Sequence, residues 1–193
     1  MDIILASTSS YRRQLLQRLQ IPFCCHAPDT DESPLPGEQP AAMAQRLALA
    51  KAHSIGSAHP GALNIGSDQV ASVDGRIMGK PGTHEAAATQ LRASSGREVH
   101  FDTAVALVCQ QKRAEWFHVE PFSAHFRPLS EQAIESYLRR EQPYDCAGSF
   151  KWEGLGIALF TRLQGDDPTS LEGLPLIALT GLLARAGIDV LAP

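Results

Sequence analysis

The sequence predicts an α/β fold: a mixed, partly antiparallel twisted sheet with flanking helices. Three observations carry this expectation. The short apolar run Ile3–Ala6 breaks into a hydroxyl-rich turn and then a helical pattern, the strand-to-helix signature of an α/β unit. Two long β-type runs, 98–110 and 114–127, flank the polar turn Gln111-Lys112-Arg113 and are expected to pair antiparallel. Strands and helices then mix without strict alternation, which argues against an all-parallel sheet.

Taken in order, the first strand feeds Ser7-Thr8-Ser9-Ser10-Tyr11-Arg12-Arg13 and a helix through Leu19, with Ser9 as its expected N-cap. A helix start offers unbonded N–H groups and the positive end of the dipole, so this turn suits phosphate or carboxylate. Arg12 and Arg13 fall in the first turn, where each cation opposes the dipole by roughly 0.3 to 1 kcal/mol. Either an anion offsets that cost, or both arginines point into water and the serines only cap the helix. A strand is expected around 22–26, followed by a loop rich in acid and proline over 27–37. Pro40 suits the first position of a helix running to about Ser54. Strand 62–73, the turn Asp74-Gly75 and the return 76–78 read as a hairpin, and a helix follows over 85–94. Beyond the long β pair, Ser130 caps a further helix, 156–163 reads as a strand, and a last helix starts after Gly173-Leu174-Pro175 and stops before Gly187.

A chain of 193 residues suffices for one sizeable domain with room for two lobes, but not for two large independent ones. The formal charge of -4 argues against a nucleic-acid polymer as partner, whereas a mononucleotide needs only a local cationic pocket. No apolar run approaches the roughly 20 residues of a membrane span, and the chain opens directly into a strand without a basic leader, so a cytoplasmic location is expected. Cys24, Cys25, Cys109 and Cys146 form no CxxC pair and are read as reduced core residues. The seven histidines make no HExxH or His/Cys cluster, and no GxSxG is present, which disfavours zinc-enzyme and esterase chemistry.

Several charged residues are candidates for chemistry. Asp68 follows an apolar strand, so its carboxylate sits on rigid backbone unless Ser-Asp-Gln is mere polar punctuation. Asp31 and Glu32 are oxygen donors suited to a hard cation, or an ordinary solvated acidic loop. Lys51 shares one helix face with Met43 and Leu47; it either snorkels to solvent or reaches a phosphate. Lys80 sits in Gly79-Lys80-Pro81 without a GxxxxGK[ST] around it, so the turn is not a P-loop. Together these acids and the cations Arg12, Arg13, Lys51 and Lys80 suit a metal-bound polyphosphate.

These segments, in this order, resemble the Maf-like nucleoside triphosphate pyrophosphatases over essentially the whole chain. The matches are Leu5-Ala6-Ser7 through Arg12, Leu15-Leu16, Asp31-Glu32, Arg46-Leu47-Ala48 through Lys51-Ala52, Gly66-Ser67-Asp68-Gln69, Gly79-Lys80-Pro81, Ala147-Gly148-Ser149-Phe150 and Gly173-Leu174-Pro175-Leu176. The resemblance implies a single domain over 1–193 with two lobes around a central cleft, as in the Maf and inosine triphosphatase folds. It implies hydrolysis of a nucleoside triphosphate to monophosphate and pyrophosphate with a divalent cation (Mg²⁺, Mn²⁺ or Co²⁺), and a homodimer as the expected assembly. It also implies Asp68 as proton acceptor and metal ligand, Glu32 as metal ligand, and Ser7, Arg12, Lys51 and Lys80 as phosphate-binding residues.

Three positions bear on the base. Tyr11, Gln69 and Glu153 resemble the aromatic, glutamine and glutamate of the group acting on 7-methyl-GTP, where the dTTP- and UTP-hydrolysing group has arginine, threonine and glutamine. An aromatic face suits the cationic methylguanine ring, and a carboxylate accepts from its N1–H and exocyclic amine. Two positions depart from the pattern: Tyr11 stands where tryptophan is usual, and Ser10 where proline is usual. Trp152 is an alternative stacking residue. The competing expectations are a dTTP/UTP or broad-specificity pyrophosphatase, and a nucleotide-binding regulator of cell division with little catalysis.

Overall fold

Local capping and hairpin chemistry produce the elements that the pattern predicts. The computed structural model describes residues 1–192. It begins with β1 (Ile3–Ala6) and α1 (Ser10–Gln17), then β2 (Cys24–His26), α2 (Pro40–Gly56), β3 (Leu63–Val73), β4 (Arg76–Met78) and α3 (His84–Ser94). β5 (Glu98–Cys109), β6 (Ala114–Phe126), α4 (Glu131–Glu141), β7 (Phe160–Gln164) and α5 (Leu176–Arg185) complete it, with short 3₁₀ turns at Ala147–Ser149, Leu155–Leu159 and Pro168–Glu172. Ser9, Thr83 and Ser130 each cap a helix by accepting a backbone N–H three residues on. Pro40 takes the first position of α2, where its missing N–H is harmless. Asp74 and Gly75 both adopt positive φ, 49° and 74°, the requirement of a two-residue turn matched to strand twist.

The strands form one seven-stranded mixed sheet in the order β2-β1-β3-β5-β6-β7, with β4 paired to β3. β1 runs parallel to both β2 and β3, with Ile4 opposite Cys24 on one side and Asn64 on the other. β3–β4 and β6–β7 are antiparallel. At the open end of the β5–β6 pair, Phe126 N donates to Arg97 O at 2.9 Å, so these strands fold back on each other across the turn at 110–113.

The chain divides into two compact units. The first comprises Met1–Gln69, Thr103–Glu120 and the chain from Asp167 onward; the second comprises Val70–Asp102 and Pro121–Asp166. The core of the first unites Leu5, Leu63, Ile65, Val105 and Leu107 of the sheet with Leu15 and Leu16 of α1 and Leu179 and Leu183 of α5. Each such side chain contributes roughly 1.5 to 3 kcal/mol on burial. The second unit centres on Phe101, Phe126, Phe150 and Phe160, whose rings meet edge to face at centroid separations of 4.8 to 5.8 Å.

Two expectations are corrected. Residues 156–159 are not strand: β6 ends at Phe126 opposite Phe160, so the preceding segment has no strand to pair with and closes into a 3₁₀ turn. Cys24 and Cys25 are exposed rather than core residues because β2 lies at the sheet edge, and Cys146 is only half-buried; Cys109 alone of the four is buried, and all four thiols are free. Among the described residues no helix is long and apolar enough to cross a membrane.

One glycine sets the spacing between helix and sheet in the first unit. A Cβ at Gly66 on β3 would lie 2.0 Å from Ala48 O and 2.7 Å from Ala52 N, so the backbones of α2 and β3 are in direct contact there. Gly66→Ala is expected to destabilise the protein by about 1 to 3 kcal/mol, the usual cost of overpacking, read from the midpoint of urea unfolding.

Candidate functional site

The contact at Gly66 brings Lys51, one helical turn from Ala48, against Asp68, two residues further along β3. Lys51 Nζ donates to Asp68 Oδ1 at 2.6 Å and pairs with Glu32 Oε1 at 2.6 Å. Lys51 is 5% exposed and Asp68 8% exposed, so neither charge is left to bulk water. The apolar stripe of Met43 and Leu47 therefore ends in a buried ammonium rather than a snorkelling one. An unpaired buried ion costs several kcal/mol, and the carboxylates supply the compensation.

Glu32 reaches Lys51 because its loop is tied down on both sides. Asp29 N donates to Ser54 Oγ on α2. Arg46, also on α2, donates to both Glu38 carboxylate oxygens at 2.6 and 2.7 Å and to Ser33 O at 3.1 Å. That arginine holds the Glu38 carboxyl well below its ordinary value, at about 2. Asp31 separates from its neighbour: exposed, it accepts from Ser33 N at 2.9 Å, and its bonds to Ser33 lower its pKa. Of the two adjacent acids, only Glu32 is paired with Lys51.

At the end of β1, Ser7 is buried and its Oγ accepts from Ser9 N at 3.1 Å, while Ser9 Oγ caps α1 through Arg12 N at 3.4 Å. The first turn of α1 holds no acid. Arg12 Nε donates to Gly173 O at 2.8 Å, which fixes the guanidinium and leaves its terminal nitrogens available for other acceptors. Packing strips water from this guanidinium and lowers its pKa, while the charges of Asp68 and Glu32 pull in the opposite direction. Arg12 thus lies within the field of the same two carboxylates. Tyr11 is partly exposed beside it, and Arg13 is exposed.

Gly173 adopts φ +96°, and a Cβ there would sit 3.2 Å from Arg12 Nε, so glycine is needed both for the turn and for the close approach. Its carbonyl also accepts from Ser67 Oγ at 2.7 Å. The turn is held by buried Asp167, which accepts from Thr169 N, Thr169 Oγ1 and Ile177 N at 2.6 to 2.9 Å. The same turn fixes Gln69: its Nε2 donates to Ser170 O at 2.8 Å and Thr103 Oγ1 at 3.1 Å, and approaches Leu171 O at 3.3 Å. Carbonyl oxygens only accept, so the amide nitrogen must face this turn. Gln69 is left with its Oε1 as the atom it can offer to a ligand, an acceptor.

Lys80 and Glu153 belong to the second unit. Lys80 is exposed after β4, with no carboxylate in ion-pair range among the described residues. Glu153 is exposed in a turn anchored to α4 through Leu155 N and Glu141 Oε2. Beside it, Trp152 Nε1 is buried without a hydrogen-bond partner. Gln90 on α3 bridges two of the matched segments: its Nε2 donates to Gly79 O at 2.9 Å and its Oε1 accepts from Ser149 Oγ at 2.5 Å.

Asp167, Thr169, Thr103 and Gln90 support the site without being among the residues the sequence singles out, and Ser67 does so from within a matched segment that gave it no role. Asp167-Pro168-Thr169 carries the signal of a capped turn with proline at its first position. The others are ordinary polar residues whose partners are remote in the chain.

Among the described residues no group of three or more His, Cys, Asp and Glu is placed to hold a metal ion. Asp68 and Glu32 do aim two hard oxygen donors at one cationic point. That donor set fits Mg²⁺ or Mn²⁺, which takes one or two carboxylates and completes its shell with phosphate oxygens and water rather than a protein cage.

A family model described as Maf-like protein matches residues 2–186. A 7-methyl-GTP pyrophosphatase of Nitrosococcus oceani is 57% identical over 189 residues, covering 98% of this chain and 95% of the relative. A second 7-methyl-GTP pyrophosphatase, from Polaromonas sp., is 53% identical over 190 residues, covering 98% and 87%. The solved structure of a HAM1 protein from Coxiella burnetii superposes with a TM-score of 0.54 over 96% of this chain and 99% of that one, at 18% identity; this likeness shows the fold alone.

The Arg46–Glu38 pair makes stability depend on pH. Because the folded pKa of Glu38 lies at about 2 against an ordinary 4.5, its stabilisation is fully present above pH 4.5 and is lost as pH falls toward 2. Wild type is therefore expected to lose more stability than Arg46→Gln between those limits, measured by urea unfolding at a series of pH values.

Proposed function

The chain belongs to the Maf family, and from that premise we propose that it is a nucleoside triphosphate pyrophosphatase that hydrolyses 7-methyl-GTP to 7-methyl-GMP and pyrophosphate. The observation that carries this reading is the convergence of Asp68 and Glu32 on one buried cation at the end of the arginine-bearing helix start. Its reaction partner is a small nucleotide.

In the proposed reaction water adds to the α-phosphorus, its proton passes to the Asp68 carboxylate, and the α–β bridging oxygen departs with pyrophosphate. Asp68 suits this role because it sits buried on a strand, so its carboxylate is held by rigid backbone. Ser7 keeps its hydroxyl proton for a phosphate oxygen, since its Oγ serves Ser9 as acceptor. Arg12, oriented by Gly173, and the lysines Lys51 and Lys80 neutralise the triphosphate. A divalent cation held by Asp68 and Glu32 supplies Lewis-acid polarisation of the phosphoryl oxygens.

Guanine specificity follows from donor and acceptor chemistry. Gln69 offers an acceptor, and Glu153 as a carboxylate is an acceptor too; guanine presents N1–H and an exocyclic amine on one edge, whereas thymine and uracil present a single N–H flanked by carbonyls. Tyr11 supplies an aromatic face for the cationic methylated ring. The names of the Nitrosococcus and Polaromonas relatives support the same substrate.

Pyrophosphate release across 7-methyl-GTP, GTP, dTTP and UTP tests the proposal, with 7-methyl-GTP expected to give the highest kcat/KM. Asp68→Asn keeps an oxygen for Lys51 and is expected to fold while losing about 10²- to 10⁴-fold in turnover, the usual contribution of a general base. Turnover close to wild type in that variant removes Asp68 from the role. Glu153→Gln should lower kcat/KM for 7-methyl-GTP more than for dTTP; equal losses on both would count against base reading by this residue.

A further inference from the structure

The cation found between Asp68 and Glu32 is the ammonium of Lys51, 2.6 Å from each carboxylate. This is the point at which those two oxygens would also meet a divalent metal. An ammonium and a metal ion brought to that one point repel each other and compete for the same two oxygens, Asp68 Oδ1 and Glu32 Oε1. Lys51 is also 5% exposed, at the end of the apolar stripe formed by Met43 and Leu47, so it does not simply withdraw into water. Leaving the carboxylates requires another anion to receive its charge.

We propose that Lys51 is an internal counter-ion that bars divalent metal from the substrate-free site and yields it only when a polyphosphate arrives. On binding, the phosphate oxygens take over the ammonium, and Asp68 and Glu32 are released to the cation that accompanies the phosphates. No covalent bond changes; the two ionic contacts of Lys51, to Asp68 and Glu32, are exchanged for contacts to phosphate. Metal and nucleotide affinities are therefore coupled, and by linkage each tightens the other by the same factor. The exchange also keeps the two carboxylates from facing each other uncompensated when the site is empty of nucleotide. The phosphate half of this exchange rests on the function proposed above. The competition between lysine and metal does not, and is measurable with metal alone.

The test is a Mn²⁺ titration of substrate-free protein, followed by the electron paramagnetic resonance of free Mn²⁺. Lys51→Gln keeps an amide donor on a side chain one atom shorter but no charge, and Lys51→Met keeps an apolar stem alone; circular dichroism checks that each is folded. Both are expected to bind Mn²⁺ more tightly than wild type by about 5- to 150-fold, the usual span of coupling between two sites. Adding Asp68→Asn to Lys51→Gln should abolish the gain. Equal Mn²⁺ affinity in wild type and Lys51→Gln overturns the proposal. In wild type, an α,β-methylene analogue of 7-methyl-GTP should tighten Mn²⁺ within the same range once the binary metal–nucleotide complex is subtracted. An unchanged affinity with the analogue bound overturns it without recourse to a variant. Failure to release pyrophosphate from any triphosphate would instead overturn the assigned reaction and leave the metal-only result standing.

Discussion

The contact between α2 and β3 at Gly66 is the constraint on which the candidate site depends. Helix and strand meet there backbone to backbone, and no side chain fits between them. Three residues along the helix and two along the strand, Lys51 and Asp68 consequently face each other at hydrogen-bond distance, both sealed from water. The same helix carries Arg46 and Ser54, which fasten the acidic loop and deliver Glu32 to the same ammonium. A single close approach therefore sets three charged groups: Lys51 and Asp68 lose water and compensate each other, while Glu32 reaches the ammonium from the exposed loop.

Around this point the structure repeatedly uses backbone carbonyls to aim side chains. Gly173 O holds Arg12, and Ser170 O holds Gln69. Both carbonyls belong to a turn pinned by Asp167 to the start of α5, so one buried carboxylate indirectly orients two residues assigned to the ligand. Gln90 does comparable work in the second unit, tying the turn before Lys80 to the segment around Ser149. Such indirect support restricts side-chain freedom before a ligand arrives, which lowers the entropy lost on binding.

Much of the fold was legible in the residues. Ser9, Thr83 and Ser130 cap helices where hydroxyls precede apolar periodicity, and Asp74-Gly75 turns the hairpin, because these preferences act within a few residues. The segment 156–159 reads as strand from its apolar composition, but strand formation depends on a neighbour that β6 does not extend far enough to provide. Cys24 and Cys25 are exposed for a related reason: a small apolar side chain reads as core unless the order of strands is known, and β2 lies at the edge. Among the charged residues, the types of Arg12, Arg13, Asp31, Glu32, Lys51, Asp68 and Lys80 suit a phosphate and a hard cation, but spacing along the chain does not say which of them meet.

By itself the sequence determined which chemical groups the protein owns and the short-range geometry of the elements that carry them, since capping, turn chemistry and hydrophobic periodicity are local. Only the tertiary structure decided that Glu32 and not Asp31 meets Lys51, that this lysine is buried as a counter-ion and not solvated, and that Gln69 turns its oxygen outward. Those outcomes rest on contacts between residues 17 apart, as for Lys51 and Asp68, to 101 apart, as for Gln69 and Ser170. Their energies come from desolvation and from acceptors supplied by remote backbone, and neither quantity exists until the chain has packed.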